Sequence, residues 1–167
     1  MTNLAMPKIN RKTISNKEII VKDLKKIINP ENVLDHQDEL KPYETDGLSA
    51  YKQKPLVVVL PENTKEVSKI LEYCNNKKIK VVPRGAGTGL SGGALPLEDG
   101  ILLCLSKFNK IIEIDYKNKC VVAQPGVTNL SITQAVEGHG YYYAPDPSSQ
   151  IACSIGGNVA ENSGGVH

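Results

Sequence analysis

Continuous apolar runs and helical stripes alternate through the middle of the chain. Residues 56–60, 81–82 and 101–105 are unbroken apolar runs, a pattern typical of strands that are buried on both faces. After Asn63 the apolar residues recur at helical spacing, and Glu66 completes a capping box with that asparagine. The pattern predicts a strand–helix–strand unit whose strands run parallel with a right-handed connection.

The N-terminal region has a different pattern. We interpret residues 1–15 as a loose basic arm and predict a helix that starts at Ser15, with Glu18 completing a capping box. Proline at position 30 ends this helix. Residues 31–54 are polar, and we predict no regular structure for them.

A hairpin and a further helix are predicted after the third apolar run. Residues 111–115 and 120–123 should pair as antiparallel strands around a turn at 116–119. Thr128 should begin a helix that Gly138 stops. The fold class that follows is α+β (α/β-like), a small parallel or mixed sheet with helices followed by an incomplete second α+β subdomain. We divide the chain into 1–40, 41–123 and 124–167.

Composition excludes several classes of protein. The chain has 167 residues, 40% hydrophobic and 23% charged, which fits one soluble globular domain. A net charge of +2 is too small to indicate nucleic acid or an anionic membrane as partner. The sequence shows no signal peptide or bilayer-spanning run, so we expect a cytoplasmic protein. Four scattered cysteines without companion histidines argue against a metal site or iron–sulfur cluster: Cys74, Cys104, Cys120 and Cys153.

Charge is distributed unevenly along the chain. Every lysine and arginine lies at or before Lys119, and half of the glycines follow it. A free-standing domain normally spreads lysine over its whole surface. The region after Lys119 is therefore expected to be covered by a ligand, by more chain or by a partner.

A glycine-rich loop follows the second apolar run. Five glycines occur within residues 85–93, where the absence of Cβ atoms lets consecutive N–H groups face one concavity. Arg84, at its edge, is one of only two arginines, and it offers a planar forked donor for phosphate. The loop is therefore predicted to cradle a phosphate or pyrophosphate.

Two familiar phosphate loops fit this segment poorly. Residues 87–92 match G-x-G-x-x-G, but Gly93, Pro96 and Gly100 follow where a dinucleotide-binding fold needs a helix. No Gly-Lys-Ser/Thr follows, which excludes a Walker A loop. A ligand-free surface turn and a nicotinamide-dependent dehydrogenase remain as alternatives.

A second unusual stretch occupies residues 141–165. Aromatic residues and two prolines are followed by two Gly-Gly pairs, which allow close approach of the backbone to a flat ligand. Asn158 and Asn162 would share one face of a helical turn and offer amides to polar ring edges. A flexible tail is the alternative, but linkers lack the regular apolar spacing of Ile151, Ile155 and Val159.

These motifs resemble those of a known family. The segments at 83–94, 145–149 and 155–162 resemble the FAD-linked oxidases of the vanillyl-alcohol oxidase/p-cresol methylhydroxylase (PCMH) type, and residues 43–46, 55–63 and 124–127 agree. Within that family the glycolate oxidase D-subunit group is the most similar. The resemblance extends from about residue 40 to the end. It implies a PCMH-type FAD-binding domain, with a first FAD-binding subdomain at 41–123 and the start of a second at 124–167.

The resemblance also implies the cofactor site. The backbone from Arg84 to Gly89 would hold the FAD diphosphate with the Thr88 and Ser91 hydroxyls assisting, while the second stretch lines the isoalloxazine side. Thr88 and Gly89 stand where some relatives carry a histidine that binds FAD covalently, so FAD is expected to be non-covalent. The implied cofactor residues are Arg84, Gly85, Ala86, Gly87, Thr88, Gly89, Ser91, Gly92, Pro145, Asp146, Ser148, Ser149, Ser154, Ile155, Gly156, Gly157, Asn158, Ala160 and Asn162.

The implied reaction is oxidation of a small 2-hydroxy acid, glycolate or D-lactate, by hydride transfer to flavin N5. A carboxylate-binding arginine and a basic or metal-bound histidine are expected, but no arginine follows Arg84 and His167 is the last residue. We therefore expect a fragment without the substrate domain that is not catalytic alone, with no catalytic residue assigned.

Possible partners follow from the same resemblance. It implies iron–sulfur and second flavin subunits of an oxidase, and peripheral attachment to the inner membrane through them. The alternative is a non-catalytic subunit or binding module that meets another polypeptide through the region after Lys119.

Overall fold

A four-stranded sheet and a separate two-stranded hairpin organise the protein. The structure, a computed structural model, describes residues 7–167, so residues 1–6 of the predicted basic arm lie outside it. The elements are α1 (Arg11–Ser15), α2 (Lys17–Ile27), β1 (Val33–Leu34), α3 (Gln37–Leu40), β2 (Val57–Val59), α4 (Thr64–Lys77), β3 (Lys80–Arg84), β4 (Gly100–Cys104), β5 (Ile111–Asp115), β6 (Cys120–Ala123), α5 (Asn129–Val136) and α6 (Ile155–Ala160).

The four strands lie in the order β1-β2-β4-β3. Strands β2 and β3 both run parallel to β4, which separates them, and Leu102 is in register with Val58 and Val82. The predicted parallel arrangement is confirmed. Strand β1, which pairs antiparallel with β2, lies within residues 31–54, for which no regular structure was predicted. That prediction was wrong because a two-residue edge strand is too short to produce an alternating pattern.

Apolar side chains cover both faces of the sheet. On one face Leu24 of α2 and Ile70 of α4 are fully buried together with Val57 and Ile101 of the sheet. On the other face Leu102 packs in a second cluster, with Leu40, Val58 and Val82. Burying each such side chain contributes about 1.5–3 kcal/mol. Helix α2 thus belongs to the core of the sheet, whereas the proposed division of the chain at residue 40 stays a prediction.

Asparagine side chains cap helices α1 and α4. Asn63 accepts a hydrogen bond from the N–H of Glu66 at 3.0 Å, which confirms the predicted start of α4. The predicted cap at Ser15 is wrong. Asn10 accepts the first N–H groups of α1, and Asn16 separates α1 from α2. The Ser15 hydroxyl instead donates to the carbonyl of Lys12, since a serine inside a helix readily bonds to the preceding turn.

The connection from β3 to β4 is the unusual feature of the fold. Neighbouring parallel strands are usually joined through a helix. Here residues 85–99 join them, and no helix or strand occurs in that segment. The prediction that no helix follows the G-x-G-x-x-G sequence is confirmed. A long connection of this kind in a small domain is typical of a functional loop.

The C-terminal part begins with the predicted antiparallel hairpin β5–β6. Thr128 accepts the N–H of Ser131 at 3.2 Å, which confirms the predicted start of α5. Ser154 caps α6 and forms an isolated antiparallel bridge with Thr128. This bridge places α6 beside the start of α5. Within the part of the chain that the structure describes, no helix is long and apolar enough to cross a bilayer.

Candidate functional site

One cavity of about 390 Å³ lies between the two glycine-rich stretches. Its walls are the end of β3 with the following loop, and residues from 149 to 163. The two walls touch at Gly85, where a Cβ atom would overlap the Ser154 hydroxyl and lie 3.7 Å from the α-carbon of Gly157. The volume is in the range of small-molecule sites. The fold therefore unites two sequence motifs in one site.

The first wall presents main-chain N–H groups. Gly87 has φ +74°, which glycine tolerates far better than other residues, and Gly92 has φ +77°. In residues 7–167, no hydrogen bond within the chain is found for the N–H groups of residues 85–94. Unpaired N–H groups in a concave loop favour an anion. The loop thus has the donors that the predicted cradle requires.

Arg84 lies at the root of this loop. Its Nη1 donates to the carbonyl of Thr45 at 2.6 Å and to that of Tyr43 at 3.4 Å. The guanidinium carbon lies 5.9 Å from the centre of the Tyr43 ring. Burial, and to a lesser extent Cys104, raise the pKa of Tyr43, while the Arg84 cation opposes them. Arg84 lines the cavity, and its role as a phosphate donor stays a prediction.

The second wall is helix α6 and its cap. The Ser154 hydroxyl accepts the N–H of Gly157 at 3.3 Å. The N–H of Gly156 donates to the carbonyl of Pro125 at 2.8 Å, and a Cβ on Gly156 would lie 2.6 Å from the Cβ of Pro125. This glycine pair therefore lets α6 approach Pro125 on one side and the first loop on the other.

Asn158 and Asn162 have different surroundings. Asn158 lines the cavity with 7% of its surface exposed, and its Oδ1 accepts a bond from Ser163 at 3.3 Å. Its Nδ2 is buried, and no partner for it occurs among residues 7–167. Asn162 is exposed, with φ +51°, because α6 ends at Ala160. The predicted shared helical face is therefore wrong, and the role of Asn162 at the cofactor stays a prediction.

Most of the predicted cofactor residues lie around this cavity. Those that line it are Arg84, Gly85, Ala86, Gly87, Thr88, Gly89, Ser91, Ser149, Ser154, Gly156, Gly157, Asn158 and Ala160. The predicted residues that are not part of the lining are Gly92, Pro145, Asp146, Ser148, Ile155 and Asn162. Sequence reasoning missed several further lining residues, among them Leu105, Pro125, Cys153 and Glu161. Of these, Glu161 carried a signal, as one of the few charges after Lys119.

Asp146 is bound to the C-terminal segment. Its Oδ1 accepts the N–H of His167, and its Oδ2 lies 3.1 Å from the Nδ1 of the same residue. The hydrogen bond from the His167 N–H, followed by that from the imidazole, lowers the pKa of Asp146 below its ordinary value. The Asp146 carboxylate therefore fastens His167 to the extended segment around residue 146.

A second cavity, of about 450 Å³, has a mainly apolar lining. It lies between the hairpin and helices α5 and α6, beside the three consecutive tyrosines at 141–143. Large apolar side chains near it are exposed, including Tyr142 and Val159. Most of its lining residues belong to the region after Lys119 that the sequence predicted to be covered, while Lys119 and residues 114–116 also contribute.

Comparison with known proteins identifies the family. A family model described as "FAD binding domain" matches residues 55–167. The chain belongs to the FAD binding domain family. FAD, the cofactor that the sequence predicted, is thereby confirmed. The unpaired loop N–H groups and the buried Nδ2 of Asn158 fit a ligand that carries a diphosphate and further hydrogen-bond acceptors.

Two curated relatives of this FAD binding domain are enzymes or subunits of enzymes. "Glycolate oxidase subunit GlcD" of Escherichia coli (strain K12) is 59% identical over 135 residues, which cover 81% of this chain and 27% of that protein. "D-lactate dehydrogenase" of Anaerostipes hadrus is 39% identical over 142 residues, which cover 84% of this chain and 30% of that protein. The chain thus spans between a quarter and a third of the length of these relatives.

A solved structure shares the fold of this FAD binding domain. p-Cresol methylhydroxylase with substrate bound superposes with a TM-score of 0.77 at 22% identity, covering 93% of this chain and 30% of that chain. The predicted α+β fold of PCMH type is confirmed. The division into subdomains at residue 124 stays a prediction.

Proposed function

We propose that this chain is the FAD-binding part of a flavin-dependent oxidoreductase that oxidises a small 2-hydroxy acid, and that it does not catalyse this reaction alone. The observation that carries the proposal is the cavity between the second glycine-rich stretch and the loop at 85–94, whose N–H groups have no hydrogen-bond partner within residues 7–167. The relatives support the substrate class, since glycolate and D-lactate, which their names contain, are both 2-hydroxy acids.

In this proposal each wall holds a different part of the cofactor. The main chain from 84 to 89, with the Thr88 and Ser91 hydroxyls, binds the diphosphate. Residues 154–158 run along the flavin, where the Asn158 amide donates to a ring or side-chain acceptor. When bound, FAD supplies the two-electron acceptor for hydride from the hydroxy acid. We propose non-covalent attachment, because Thr88 and Gly89 occupy the region where a covalently attaching histidine would stand.

The reaction needs groups that this cavity does not provide. The acid requires a cation for its carboxylate and a base for its hydroxyl proton. The ionisable lining residues, among those described, are Arg84, Cys153 and Glu161. Arg84 is engaged with main-chain carbonyls, and the negative charge of Glu161 repels a carboxylate. Substrate binding and proton transfer are therefore proposed to come from other segments or subunits.

We also propose that the chain assembles with other polypeptides. The exposed apolar surface beside the tyrosines at 141–143 supports contact with further polypeptide. The word "subunit" in the name of the E. coli relative supports a multi-subunit enzyme. We propose iron–sulfur and second flavin subunits as partners, in the cytoplasm with peripheral attachment to the inner membrane.

Absorption spectroscopy tests the cofactor assignment. The chain is loaded with excess FAD, desalted and scanned in the visible range. We expect the two flavin bands to stay with the protein, whereas riboflavin, which lacks the diphosphate, should be lost during desalting. Complete loss of FAD would contradict the proposal.

A turnover assay tests the proposal that the chain does not catalyse the reaction alone. The FAD-loaded chain is mixed with glycolate or D-lactate and an electron-accepting dye. We expect no substrate-dependent reduction of the dye. Dye reduction by the chain alone would show that its own residues complete the active site.

A further inference from the structure

We infer that Arg84 is a positioning residue that fastens the glycine-rich loop to the segment 43–48, and that it is not the ligand of the diphosphate. This inference rests on the proposed function, because it concerns the same site. It differs from the expectation drawn from the sequence, in which the guanidinium itself grips the phosphate. Four sets of contacts support it.

One of the three guanidinium nitrogens is directed at the main chain. The Nη1 of Arg84 donates at 2.6 Å to the carbonyl of Thr45 and at 3.4 Å to that of Tyr43. The Tyr43 ring lies beside the same group, 5.9 Å from its central carbon. An arginine held by two carbonyls and an aromatic ring has a fixed orientation. It thereby joins two segments about forty residues apart in sequence.

The loop itself covers the guanidinium. A Cβ atom on Gly87 would lie 2.5 Å from the Cζ of Arg84 and 2.6 Å from its Nε. The backbone of Gly87, at φ +74°, therefore packs directly on the planar group. A lysine cannot reproduce this surface, because its charge sits on a single flexible atom rather than on a plane.

Segment 43–48 also supports the loop further along. A Cβ on Gly47 would lie 2.6 Å from the carbonyl oxygen of Thr88 and 2.7 Å from that of Gly89. The Leu48 side chain lies 3.9 Å from the Cβ position of Gly92. Segment 43–48 therefore supports the loop from Arg84, at its start, to Gly92, the second of its glycines with a positive φ.

A buried carboxylate shapes the supporting turn. Asp46 is 7% exposed, and its Oδ1 accepts the N–H of Leu48 at 2.9 Å. An aspartate that bonds to the backbone two residues on stabilises a turn. This turn presents Gly47, which has no side chain, to the carbonyls of the loop.

The two roles of Arg84 predict different behaviour. If the guanidinium grips the phosphate, substitution should weaken FAD binding but leave the loop unchanged in the absence of cofactor. If it positions the loop, lysine should be as damaging as alanine, and the damage should be visible without FAD. The N–H groups of Leu48 and Gln53 report on segment 43–48, since both are hydrogen-bonded to it, at 2.9 and 2.8 Å.

The experiment compares Arg84→Lys, Arg84→Ala and Gly47→Ala. Hydrogen exchange of Leu48 and Gln53 is measured in the cofactor-free chain, together with chymotrypsin cleavage after Leu90, which is 73% exposed in the loop. We expect each variant to exchange and to be cleaved about tenfold faster than the unsubstituted chain. FAD affinity should fall about tenfold in all three. The matched control is Arg11→Lys, at the other arginine, which is exposed on α1 and should change nothing.

Several outcomes would overturn the inference. One is wild-type exchange and cleavage in Arg84→Lys, and another is near-normal FAD affinity in that variant when Arg84→Ala binds poorly. A double variant, Arg84→Lys with Gly47→Ala, should exchange no faster than either single variant, so multiplied effects would also contradict it. If Arg84→Ala does not fold, Arg84→Lys and Gly47→Ala decide the question. Because exchange is measured without FAD, failure of the unsubstituted chain to bind FAD would refute the proposed function and leave this test intact.

Discussion

The α-carbon of Gly85 packs directly against the side chain of Ser154, so the two walls of the cavity are in contact at this residue pair. A methyl group on Gly85 would overlap the Ser154 hydroxyl, which also caps α6 by accepting the N–H of Gly157. The distance between the walls is therefore set by the absence of one side chain.

Gly85→Ala tests this relationship. The added methyl group should push Ser154 and α6 away from the first loop, lowering the stability of the chain by about 1–3 kcal/mol. FAD affinity should fall at least tenfold, as measured by titration of flavin fluorescence. Gly138→Ala is the control, because a Cβ there meets nothing within 4 Å, and it should fold with a normal melting temperature. Unchanged FAD affinity in Gly85→Ala would contradict close contact of the walls.

The variant Asn158→Leu tests whether Asn158 contributes to FAD binding rather than to the stability of the cofactor-free chain. A buried polar group without a partner costs about 1–3 kcal/mol, and a ligand that bonds to it recovers that cost. The Nδ2 of Asn158 is such a group in the cofactor-free chain. We therefore expect the variant to bind FAD about tenfold or more weakly while its cofactor-free melting temperature does not fall. Asn76→Leu, at an exposed position on α4, is the control for adding a leucine. A loss of stability without a loss of affinity would count against the assigned role.

The pair Lys80 and Asp99 should make stability depend on pH. Asp99 is 2% exposed and accepts bonds from the Lys80 Nζ at 2.8 Å and the Asn10 N–H at 2.6 Å. Burial alone would raise the pKa of Asp99, but these hydrogen bonds, with the charge of Lys80, bring it below its ordinary 3.8. A lowered pKa in the folded state means that the stabilisation is present above about pH 3.8 and is lost as the pH falls through the lowered value.

Asp99→Asn measures this contribution. At pH 7 the variant should unfold with a free energy about 1–3 kcal/mol below that of the unsubstituted chain. The difference should shrink as the pH falls from 3.8 through the lowered pKa of Asp99, because the carboxyl then becomes neutral first in the unfolded chain and afterwards in the folded one. Denaturant titrations at pH 7, 5 and 3 give the comparison, with Asp38→Asn as an exposed control. A difference that stays constant with pH would exclude the ionised pair as its cause.

Acid precipitation tests the non-covalent attachment of FAD. If attachment is non-covalent, as proposed, denaturation should release the whole flavin into the supernatant. The measurement is the flavin absorbance of the supernatant against that of the pellet. Flavin fluorescence that migrates with the polypeptide on a denaturing gel would show a covalent bond.

Local patterns predicted the regular elements well. The capping of α4 by Asn63 depends on a residue only three positions away, and both central strands are unbroken apolar runs. Predictions failed where a local signal was ambiguous or short. The cap was predicted at Ser15, whereas its neighbour Asn16 precedes α2, and β1 has only two residues.

Only part of the candidate site could be predicted from the sequence. Its glycine motifs reveal the backbone character of both walls, but the partners of side chains depend on contacts between distant segments. Nothing in the sequence near Arg84 shows that its guanidinium meets the carbonyl of Thr45, thirty-nine positions earlier. The end of α6 at Ala160, which separates Asn158 from Asn162, was likewise not predicted.

The position of β4 between β2 and β3 constrains how the chain acquires its structure during synthesis. A ribosome that has produced residues up to 84 has made both outer neighbours but not the strand that joins them. Only when residues 100–104 emerge does β3 gain its hydrogen-bonded neighbour, and the intervening glycine-rich segment then closes in the same event. The proposed nucleotide-binding loop is thus one of the last features of the sheet to form, and nascent chains shorter than about a hundred residues expose an unpaired apolar strand edge.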